Sequence, residues 1–320
     1  MSRRRFLAGL GVLAGASALV PWLRRVGLEE TGTVEVLRPG LGTWIRVVAR
    51  DGDRRRAERA VEAAFAAIRE VDRQMSVHRA DSQLSRVNRA AGRGAVAVDR
   101  EVIEVVSLAR AAAERSGGLY DPTVLPLMRL YGFYGQGETP YPSDRAIART
   151  LATVDWRQVA LDPARRTLGL EHAGAGLDLG SIGKGWALDR AVDALRRLGV
   201  RSALVDVGGN SYGLGTPEPG LPGWSVGVLH PVTKQVDRVF TLRDAAVATS
   251  GNYEQFRILS GLRVGHLFDA RRGRPADGHL SASVLAQSGV ESDVMSTVSF
   301  LLGPSAFRGW PGALGVHFIG

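Results

Sequence analysis

The pattern of apolar and polar positions predicts several helices separated by runs of short strands. Small and apolar residues recur at helical spacing over 56–75, which predicts an amphipathic helix there. The same spacing predicts a helix over 186–198, which ends before Gly199, and another over 291–302. Asp99 precedes a further apolar-periodic segment and is expected to cap its N-terminus. The chain should therefore contain several packed amphipathic helices.

Alternating and continuous apolar runs predict strands, many of which follow one another directly. They lie at 33–49 (two strands), 158–161, 167–170, 201–207, 225–229, 236–242, 245–249, 256–268 (a hairpin) and 281–286. Loops are predicted over 135–142 and 249–254. Strands in direct succession favour an α+β fold with mixed or antiparallel sheets over a doubly wound parallel sheet. No linker divides the chain after residue 30, so residues 31–320 are expected to form a single large domain.

The first 30 residues have a different character. The run SRRRFL (2–7) is similar to a twin-arginine export signal, and an uncharged stretch rich in Gly and Ala extends over 6–23. A permanent membrane anchor is the alternative, although this stretch is at the short limit for a span and contains Pro21. We predict an exported protein, in the periplasm or on the outer face of the cytoplasmic membrane, that contacts the membrane only through this segment. Whether the leader is cleaved stays open.

Charge and composition narrow the range of functions. The net charge is +9, but no basic run is interleaved with aromatic residues, so nucleic-acid binding is not expected. A moderate positive excess is compatible with an anionic small ligand. The chain contains no cysteine, which excludes disulfides, thiolate metal sites and cysteine nucleophiles.

A glycine-rich stretch over 176–185 precedes the helix predicted at 186–198. It contains Asp178 and Lys184, and the chain has only one other lysine among its 41 lysines and arginines. Glycines before a helix expose backbone N–H groups at its positive end, an arrangement that binds phosphate. The stretch is not a P-loop, since Asp178 and Gly185 replace the glycine and the hydroxyl residue of that motif. A tight strand-to-helix turn is the other interpretation, and the pattern alone leaves both open.

The last predicted helix carries Asp293, Ser296 and Thr297 at spacings that place all three on one face. Oxygen groups gathered in this way suit Mg²⁺. The simpler interpretation is a helix start with ordinary acidic and hydroxyl residues, whose hydroxyls bond back to the backbone. None of the six histidines has a metal-ligand spacing, and only His266, beside Asp269 at a strand end, lies in a polar cluster.

Seven segments of the chain, in order, resemble the ApbE family of FAD:protein FMN transferases. They are MSVHRADSQLSRVN (75–88), GGLYDPTVLPL (117–127), LDLGSIGKGWALDRA (177–191), VDVGGN (205–210), ATSGNYEQF (248–256), HLFDARRGRP (266–275) and SDVMSTVSFLLG (292–303). No single segment is decisive, whereas seven in the family's order and spacing are specific. The resemblance covers most of residues 33–303 and implies the fold of that family.

The resemblance also implies roles for particular residues. Those expected to contact FAD are Leu119, Tyr120, Asp121, Asp178, Lys184, Met75, His78 and Leu267. The implied metal site consists of Asp293, Thr297 and the carbonyl oxygen of Ser181. Lys184 and His266 are the expected catalytic residues, with His266 as a base or positioning group.

The implied reaction transfers FMN from FAD to a threonine hydroxyl of a partner redox protein, with Mg²⁺ bound and AMP released. The acceptor is expected to carry an Asp-x-x-Thr/Ser-Gly-Ala type of motif, which this chain lacks. Two positions depart from the family: His78 stands where a tyrosine is usual, and Ala270 follows Asp269 where a proline is usual. The usual final strand of the family is expected only over 316–319. Because His78 lies in a nucleotide-facing loop, a Mg²⁺-dependent FAD pyrophosphatase that releases FMN and AMP stays an alternative. A non-catalytic periplasmic flavin-binding protein is the third.

Overall fold

The computed structural model describes residues 32–135, 139–253, 255–276, 278–304 and 312–320. Residues 1–30, which the sequence assigns to an export signal or an anchor, lie outside this part of the chain. Within the described part, no helix is both long enough and apolar enough to cross a membrane. Glu254 and three residues of the predicted loop over 135–142 also lie outside it.

The described residues form seven α-helices. They are α1 (Arg54–Met75), α2 (Gln83–Arg89), α3 (Arg100–Arg115), α4 (Leu125–Leu130), α5 (Asp144–Leu151), α6 (Gly183–Arg197) and α7 (Gly289–Leu302). Asp53 and Ser82 cap α1 and α2, because their side-chain oxygens accept hydrogen bonds from first-turn N–H groups. Asp99 precedes α3 but makes no such bond; its carboxylate instead accepts from the amides of Gln74 and Gln83. Asp99 therefore occupies the N-cap position of α3, as the sequence predicts, but its side chain does not form the capping hydrogen bond.

The strands form one large sheet, one small sheet and three hairpins. They are β1 (Thr33–Gly40), β2 (Thr43–Arg50), β3 (Val96–Ala97), β4 (Val159–Asp162), β5 (Thr167–Leu170), β6 (Ser202–Val207), β7 (Asn210–Leu214), β8 (Trp224–Leu229), β9 (Val236–Leu242), β10 (Ala245–Gly251), β11 (Phe256–Leu259), β12 (Leu262–Gly265), β13 (Phe268–Asp269), β14 (Arg274–Pro275), β15 (Ser281–Ala286) and β16 (Ala313–Ile319).

Every pairing between these strands is antiparallel. The large sheet has the order β1-β2-β6-β7-β10-β15-β16, and the small sheet has the order β3-β5-β4. The hairpins are β8–β9, β11–β12 and β13–β14. An α+β fold with antiparallel sheets and packed helices, in a single domain, is thus confirmed.

Both faces of the large sheet are covered. Val47 pairs with Val205, and their side chains belong to the main core, in which α1, α6 and α7 pack on one face. The next pair, Val48 with Leu204, lies on the other face and packs against Trp224 of the β8–β9 hairpin. Side chains alternate between faces along a strand, so burial on both sides explains why residues 203–205 are apolar without a break.

Two helices begin earlier than the apolar pattern indicates. α6 begins at Gly183, so that Lys184 and Gly185 lie in its first turn rather than in a preceding loop. α7 begins at Gly289 rather than at residue 291, after the capping residue Ser288. Glycine is a poor helix former, so the sequence does not indicate these turns. Their contact with each other stabilises them.

α6 and α7 cross where two glycines meet. A Cβ atom at Gly185 would lie 2.7 Å from the Cβ of Asp293, and one at Gly289 would lie 2.9 Å from a side chain of α6. The carboxylate of Asp189 in α6 accepts hydrogen bonds from the N–H groups of Gly289 and Val290, at 2.7 and 3.0 Å. The absence of side chains at both glycines therefore sets the distance between the helices.

Two strands are longer than the sequence indicates. β10 continues to Gly251, because its ladder with β15 extends to the pair of Gly251 with Ser281. Ser250 consequently lies in a strand rather than in the predicted loop. The last strand begins at Ala313 rather than at residue 316. These ladders are long-range pairings that a local pattern does not encode.

Replacing Gly289 with alanine should destabilise the protein by about 1–3 kcal/mol, because the added methyl group forces α6 and α7 apart. Thermal unfolding measures the change. Gly52→Ala is the matched control, since a Cβ there meets no atom within 4 Å. Equal losses of stability in the two variants would contradict a tight crossing at Gly289.

Candidate active site

Two other segments hold the glycine-rich stretch before α6 through its backbone. The N–H of Asp178 donates to the carbonyl of Pro122 at 2.7 Å. The amide side chain of Asn88 bonds both backbone groups of Leu177, at 2.7 and 2.9 Å. Pro122 and Asn88 belong to two of the segments that carry the family resemblance, so these segments lie side by side in the fold.

The buried carboxylate of Asp178 links this stretch to an aromatic pair. Its Oδ1 accepts a hydrogen bond from the N–H of Gly180 at 2.8 Å, and its Oδ2 accepts one from the hydroxyl of Tyr134. The ring of Tyr134 packs against the exposed ring of His78, with 5.1 Å between the centroids. Asp178 thereby positions an aromatic surface beside the loop of His78.

The carboxylate of Asp121 is buried and accepts hydrogen bonds that fix the conformation of its own loop. Its Oδ1 accepts from the N–H and the hydroxyl of Thr123, at 2.8 and 2.7 Å, and its Oδ2 accepts from the N–H of Trp156 at 2.9 Å. Burial raises the pKa of Asp121, and these hydrogen bonds act in the opposite direction. The neighbouring Tyr120 accepts a hydrogen bond from the hydroxyl of Ser181 at 3.1 Å. Asp121 therefore shapes the loop that brings Tyr120 to Ser181.

The three apolar residues expected to contact FAD are all buried. Met75 belongs to the main core, together with Tyr120. The carbonyl of Leu119 accepts from the N–H of Ala270 at 3.1 Å. Leu267, which directly follows His266 in the chain, is 7% exposed. These residues thus provide an apolar interior to the segments that carry Tyr120 and His266.

Asp293 lies in the interior of the molecule, between α6, α7 and β7. It is 3% exposed. The N–H of Gly185 donates to its Oδ2 and the side-chain Nδ2 of Asn210 donates to its Oδ1, each at 2.8 Å. Burial raises the pKa of Asp293, and the positive charge of Lys184 lowers it. Lys184 and Asp293, 109 positions apart in the chain, therefore share one electrostatic environment.

Hydroxyl groups continue the polar face of α7 beyond Asp293. The hydroxyl of Ser250 in β10 lies 2.7 Å from that of Ser296 and 3.0 Å from that of Thr297. Ser296 also bonds back to the carbonyl of Asp293, at 2.8 Å. Ser296 therefore makes the backbone bond of the simpler interpretation, while both Ser296 and Thr297 also contact β10.

Asp206, at the end of β6, is a second carboxylate within range of Lys184. Burial raises its pKa, and the hydrogen bond from Ser211, at 2.6 Å, and the charge of Lys184 both lower it. Lys184 consequently lies near two carboxylates from different elements of the fold.

His266 is kept neutral by its surroundings. Burial, together with the nearby charge of Lys184, lowers the pKa of His266 to about 4. Its Nδ1 lies 3.1 Å from the carbonyl oxygen of Gln255, which only accepts, so we assign the proton to Nδ1 and a free lone pair to Nε2. Asp269, the partner expected from the sequence, forms ion pairs with Arg271 and Arg272 instead.

The oxygen groups at this centre suit a hard cation. No three His, Asp or Glu side chains in the described part of the chain are grouped so as to hold a metal ion. The predicted ligands offer one carboxylate, from Asp293, a hydroxyl, from Thr297, and the carbonyl of Ser181. Tyr120 connects them, because it bonds Ser181 and its pKa is raised by burial and by the charge of Asp293. Mg²⁺ commonly takes one or two carboxylates and completes its shell with phosphate and water, so these residues fit it.

Comparison with known families identifies the family of this chain. Residues 41–314 match the model of the ApbE family. The chain belongs to the ApbE family. Its antiparallel fold and its seven resembling segments agree with this membership.

Relatives within the ApbE family are similar over most of their length. A Treponema pallidum protein is 33% identical over 259 residues, which cover 76% of this chain and 71% of that protein. A Klebsiella pneumoniae protein is 32% identical over 251 residues, which cover 77% and 76%. Both are named FAD:protein FMN transferase. The crystal structure of a Thermotoga maritima ApbE protein superposes with a TM-score of 0.80 and 29% identity, over 89% of this chain and 94% of that one.

Three residues at the centre of this ApbE-family chain were not assigned a role from the sequence. Asn210 and Ser250 lie inside segments that carry the resemblance, but nothing in their spacing indicated contact with α7. Tyr134 lies outside all seven segments, and its only signal was an aromatic side chain next to a glycine-rich loop. Hydrogen bonds across the fold identify all three.

Removing the charge of Lys184 should raise the pKa of His266, because a nearby positive charge disfavours protonation of the ring. Titration of the histidine side chains by NMR in Lys184→Met, with His266→Gln to assign the resonance, measures it. Lys234→Met is the matched control, since Lys234 lies over the ring of Tyr253 and should not affect His266. An unchanged His266 titration in Lys184→Met would place the two residues apart.

Proposed function

We propose that this chain is a Mg²⁺-dependent FAD:protein FMN transferase. It would move FMN from FAD to a threonine hydroxyl of a partner redox protein, with release of AMP. One observation carries the proposal: Lys184 and Asp293 interact electrostatically at the crossing of α6 and α7. There the carboxylate of Asp293 also accepts a hydrogen bond from the N–H of Gly185. Family membership supports a transferase, and the names of the relatives support FAD as substrate and a protein as acceptor.

The proposed reaction breaks the phosphoanhydride bond of the pyrophosphate and forms a phosphoester bond to the acceptor. The acceptor oxygen attacks the phosphorus of the FMN half of the pyrophosphate. The bond from this phosphorus to the bridging oxygen breaks, and AMP leaves with that oxygen. The hydroxyl proton passes to a base, and no oxidation or reduction takes place. Because charge shifts onto the leaving phosphate, positive groups around the pyrophosphate stabilise the transition state.

Lys184 and the start of α6 bring positive charge to the pyrophosphate. Lys184 lies in the first turn of the helix, whose N-terminus carries a partial positive charge. Gly183, which precedes Lys184, leaves the backbone there uncovered by a side chain. A bound Mg²⁺ supplies further neutralisation of the phosphate charge. Asp293, Thr297 and the carbonyl of Ser181 are the residues that would hold it.

His266 is assigned to the proton of the acceptor hydroxyl. Its Nδ1 is oriented by Gln255, which leaves Nε2 unprotonated and able to accept. A pKa of about 4 is low for a base that works at neutral pH. Bound pyrophosphate adds negative charge near the ring and favours the protonated form, so the pKa of His266 should rise in the complex.

The flavin is assigned to the side of the site that contains His78 and Tyr134. Flat heterocycles stack on aromatic rings and bind against apolar walls. His78 replaces the tyrosine usual in the family, but Tyr134 packs beside it, so a tyrosine ring remains next to this loop. The tyrosine ring retained beside this loop supports transfer to a protein over plain FAD hydrolysis.

We also propose that the protein acts outside the cytoplasm, on an acceptor with an Asp-x-x-Thr/Ser-Gly-Ala type of motif. The twin-arginine-like run at 2–7 supports export. A reporter protein fused behind residues 1–30 should therefore reach the periplasm, and replacement of Arg3 and Arg4 by lysine should retain it in the cytoplasm. Cell fractionation measures both. Export that persists in the double variant would contradict this route.

One incubation separates the candidate functions. The purified protein with FAD, Mg²⁺ and an acceptor should give covalent FMN on the acceptor and AMP in equal amounts. Free FMN formed without an acceptor would indicate the pyrophosphatase instead. Bound FAD that stays intact would indicate the non-catalytic flavin-binding protein.

Asp293→Asn should lower kcat by on the order of 100-fold or more and weaken the dependence on Mg²⁺, because it removes the carboxylate at the metal site. AMP release measured over a range of Mg²⁺ concentrations tests this, and thermal unfolding checks that the variant is folded. Asp162→Asn is the matched control, since its carboxylate accepts from the N–H of Arg165 in a turn between β4 and β5. Wild-type activity and unchanged Mg²⁺ dependence in Asp293→Asn would remove Asp293 from the metal site.

A further inference from the structure

The three asparagines of the chain differ in how their side-chain amides are used. Both amide atoms of Asn88 bond the backbone of Leu177. Both amide atoms of Asn252 are also bonded, the nitrogen to the carbonyl of Ala276 and the oxygen to the N–H of Leu267. Asn210 uses its nitrogen only: its Oδ1 is buried and has no hydrogen-bond partner among the described residues. Buried oxygens without a partner are rare and call for an explanation.

Asn210 is held in a fixed position. It is the first residue of β7, pairs with Val207 across a turn formed by Gly208 and Gly209, and is 1% exposed. Both glycines have positive φ angles, of 59° and 89°, which favour glycine and define the turn. The side chain therefore cannot move into solvent to satisfy its oxygen.

The orientation of the amide follows from its neighbour. The Nδ2 of Asn210 lies 2.8 Å from Oδ1 of Asp293, and a carboxylate oxygen that faces an amide in this way accepts from its N–H. The reversed amide would set two acceptor oxygens against each other. The unpartnered atom of Asn210 is consequently the amide oxygen. It belongs to the same amide group as the nitrogen that contacts the carboxylate of Asp293.

We propose that Asn210 supplies its amide oxygen as a further ligand to the cation bound by Asp293. This inference rests on the proposed function, which places Mg²⁺ at Asp293. Amide and carbonyl oxygens are ordinary ligands of hard divalent cations. The same side chain also orients Asp293 through Nδ2, while the N–H of Gly185 holds the other carboxylate oxygen. Asn210 then acts both as a cation ligand and as the residue that orients Asp293.

A purely structural role, in which Nδ2 orients Asp293, would explain the position of the amide nitrogen of Asn210. It would not explain why the buried amide oxygen has no hydrogen-bond partner among the described residues. A structural asparagine in this protein uses both atoms, as Asn88 and Asn252 show. A cation ligand needs an oxygen with a free lone pair next to the carboxylate, and Asn210 provides it. The carbonyl would thus add a neutral ligand to a site with a single proposed carboxylate.

Spectroscopy on Mn²⁺, a hard cation that replaces Mg²⁺ at oxygen sites, tests the assignment directly. The full-length protein is produced with asparagine labelled with ¹³C at the side-chain carbonyl, which labels only three positions. Electron–nuclear double resonance of the Mn²⁺-loaded protein should show a ¹³C coupling, and Asn210→Ser should abolish it. Asn88→Ser, the matched control, should retain it.

Affinity gives a second measurement. Asn210→Leu should weaken Mn²⁺ binding by on the order of 10–100-fold. Gln158→Leu is the matched control and should leave it within about twofold, because this buried amide bonds the backbone of Thr153 and His172. If Asn210→Leu does not fold, the spectrum of the labelled wild-type protein decides alone. A wild-type protein that binds Mn²⁺ without ¹³C coupling, or with a coupling that survives in Asn210→Ser, overturns the proposal. A wild-type protein that binds no Mn²⁺ overturns the metal site of the proposed function itself.

Discussion

The contact between the first turn of α6 and the buried face of α7 is the constraint on which both the fold and the site depend. Gly185 and Gly289 allow the two helices to approach closely, and Asp293 accepts the N–H of Gly185 at 2.8 Å. The same turn carries Lys184. The packing that closes the core therefore also places a positive side chain near a buried carboxylate.

The charges near this contact are two buried carboxylates, of Asp293 and Asp206, and the ammonium group of Lys184. Burial raises the pKa of Asp293 and of Asp206, and Lys184 counteracts it in both cases. A buried carboxylate is unfavourable unless a positive partner compensates it; Lys184 acts on both carboxylates here, and Arg46 acts on Asp206 as well. A cation would relieve the carboxylates and free Lys184 to act on a pyrophosphate. The neutral state of His266 preserves this balance, because a protonated imidazole would compete for the same negative charges.

The large sheet explains how distant segments reach this centre. β7 and β10 are neighbours, with Ser211 paired to Val247, so that Asn210 and Ser250 lie on adjacent strands. α7 follows β15, the next strand of the sheet, and packs back over β10. Local patterns predicted most of these strands and the α+β class. The strand order was not predictable, because it depends on pairings between residues far apart in the chain.

The sequence by itself determined features that are local or that depend on motifs. These are the presence of most helices, the placement of Asp293, Ser296 and Thr297 on one helix face, and membership of the ApbE family. Helical periodicity and segment order need no tertiary contact to be recognised. Only the tertiary structure decided the partners, namely Tyr134 for Asp178, 44 positions apart, and Asn210 for Asp293, 83 positions apart. It also decided that Gly183 begins a helix, because packing against α7 outweighs the low helix propensity of glycine. Hydrogen bonds of this range follow from which elements pack together, and no repeat along the chain encodes them.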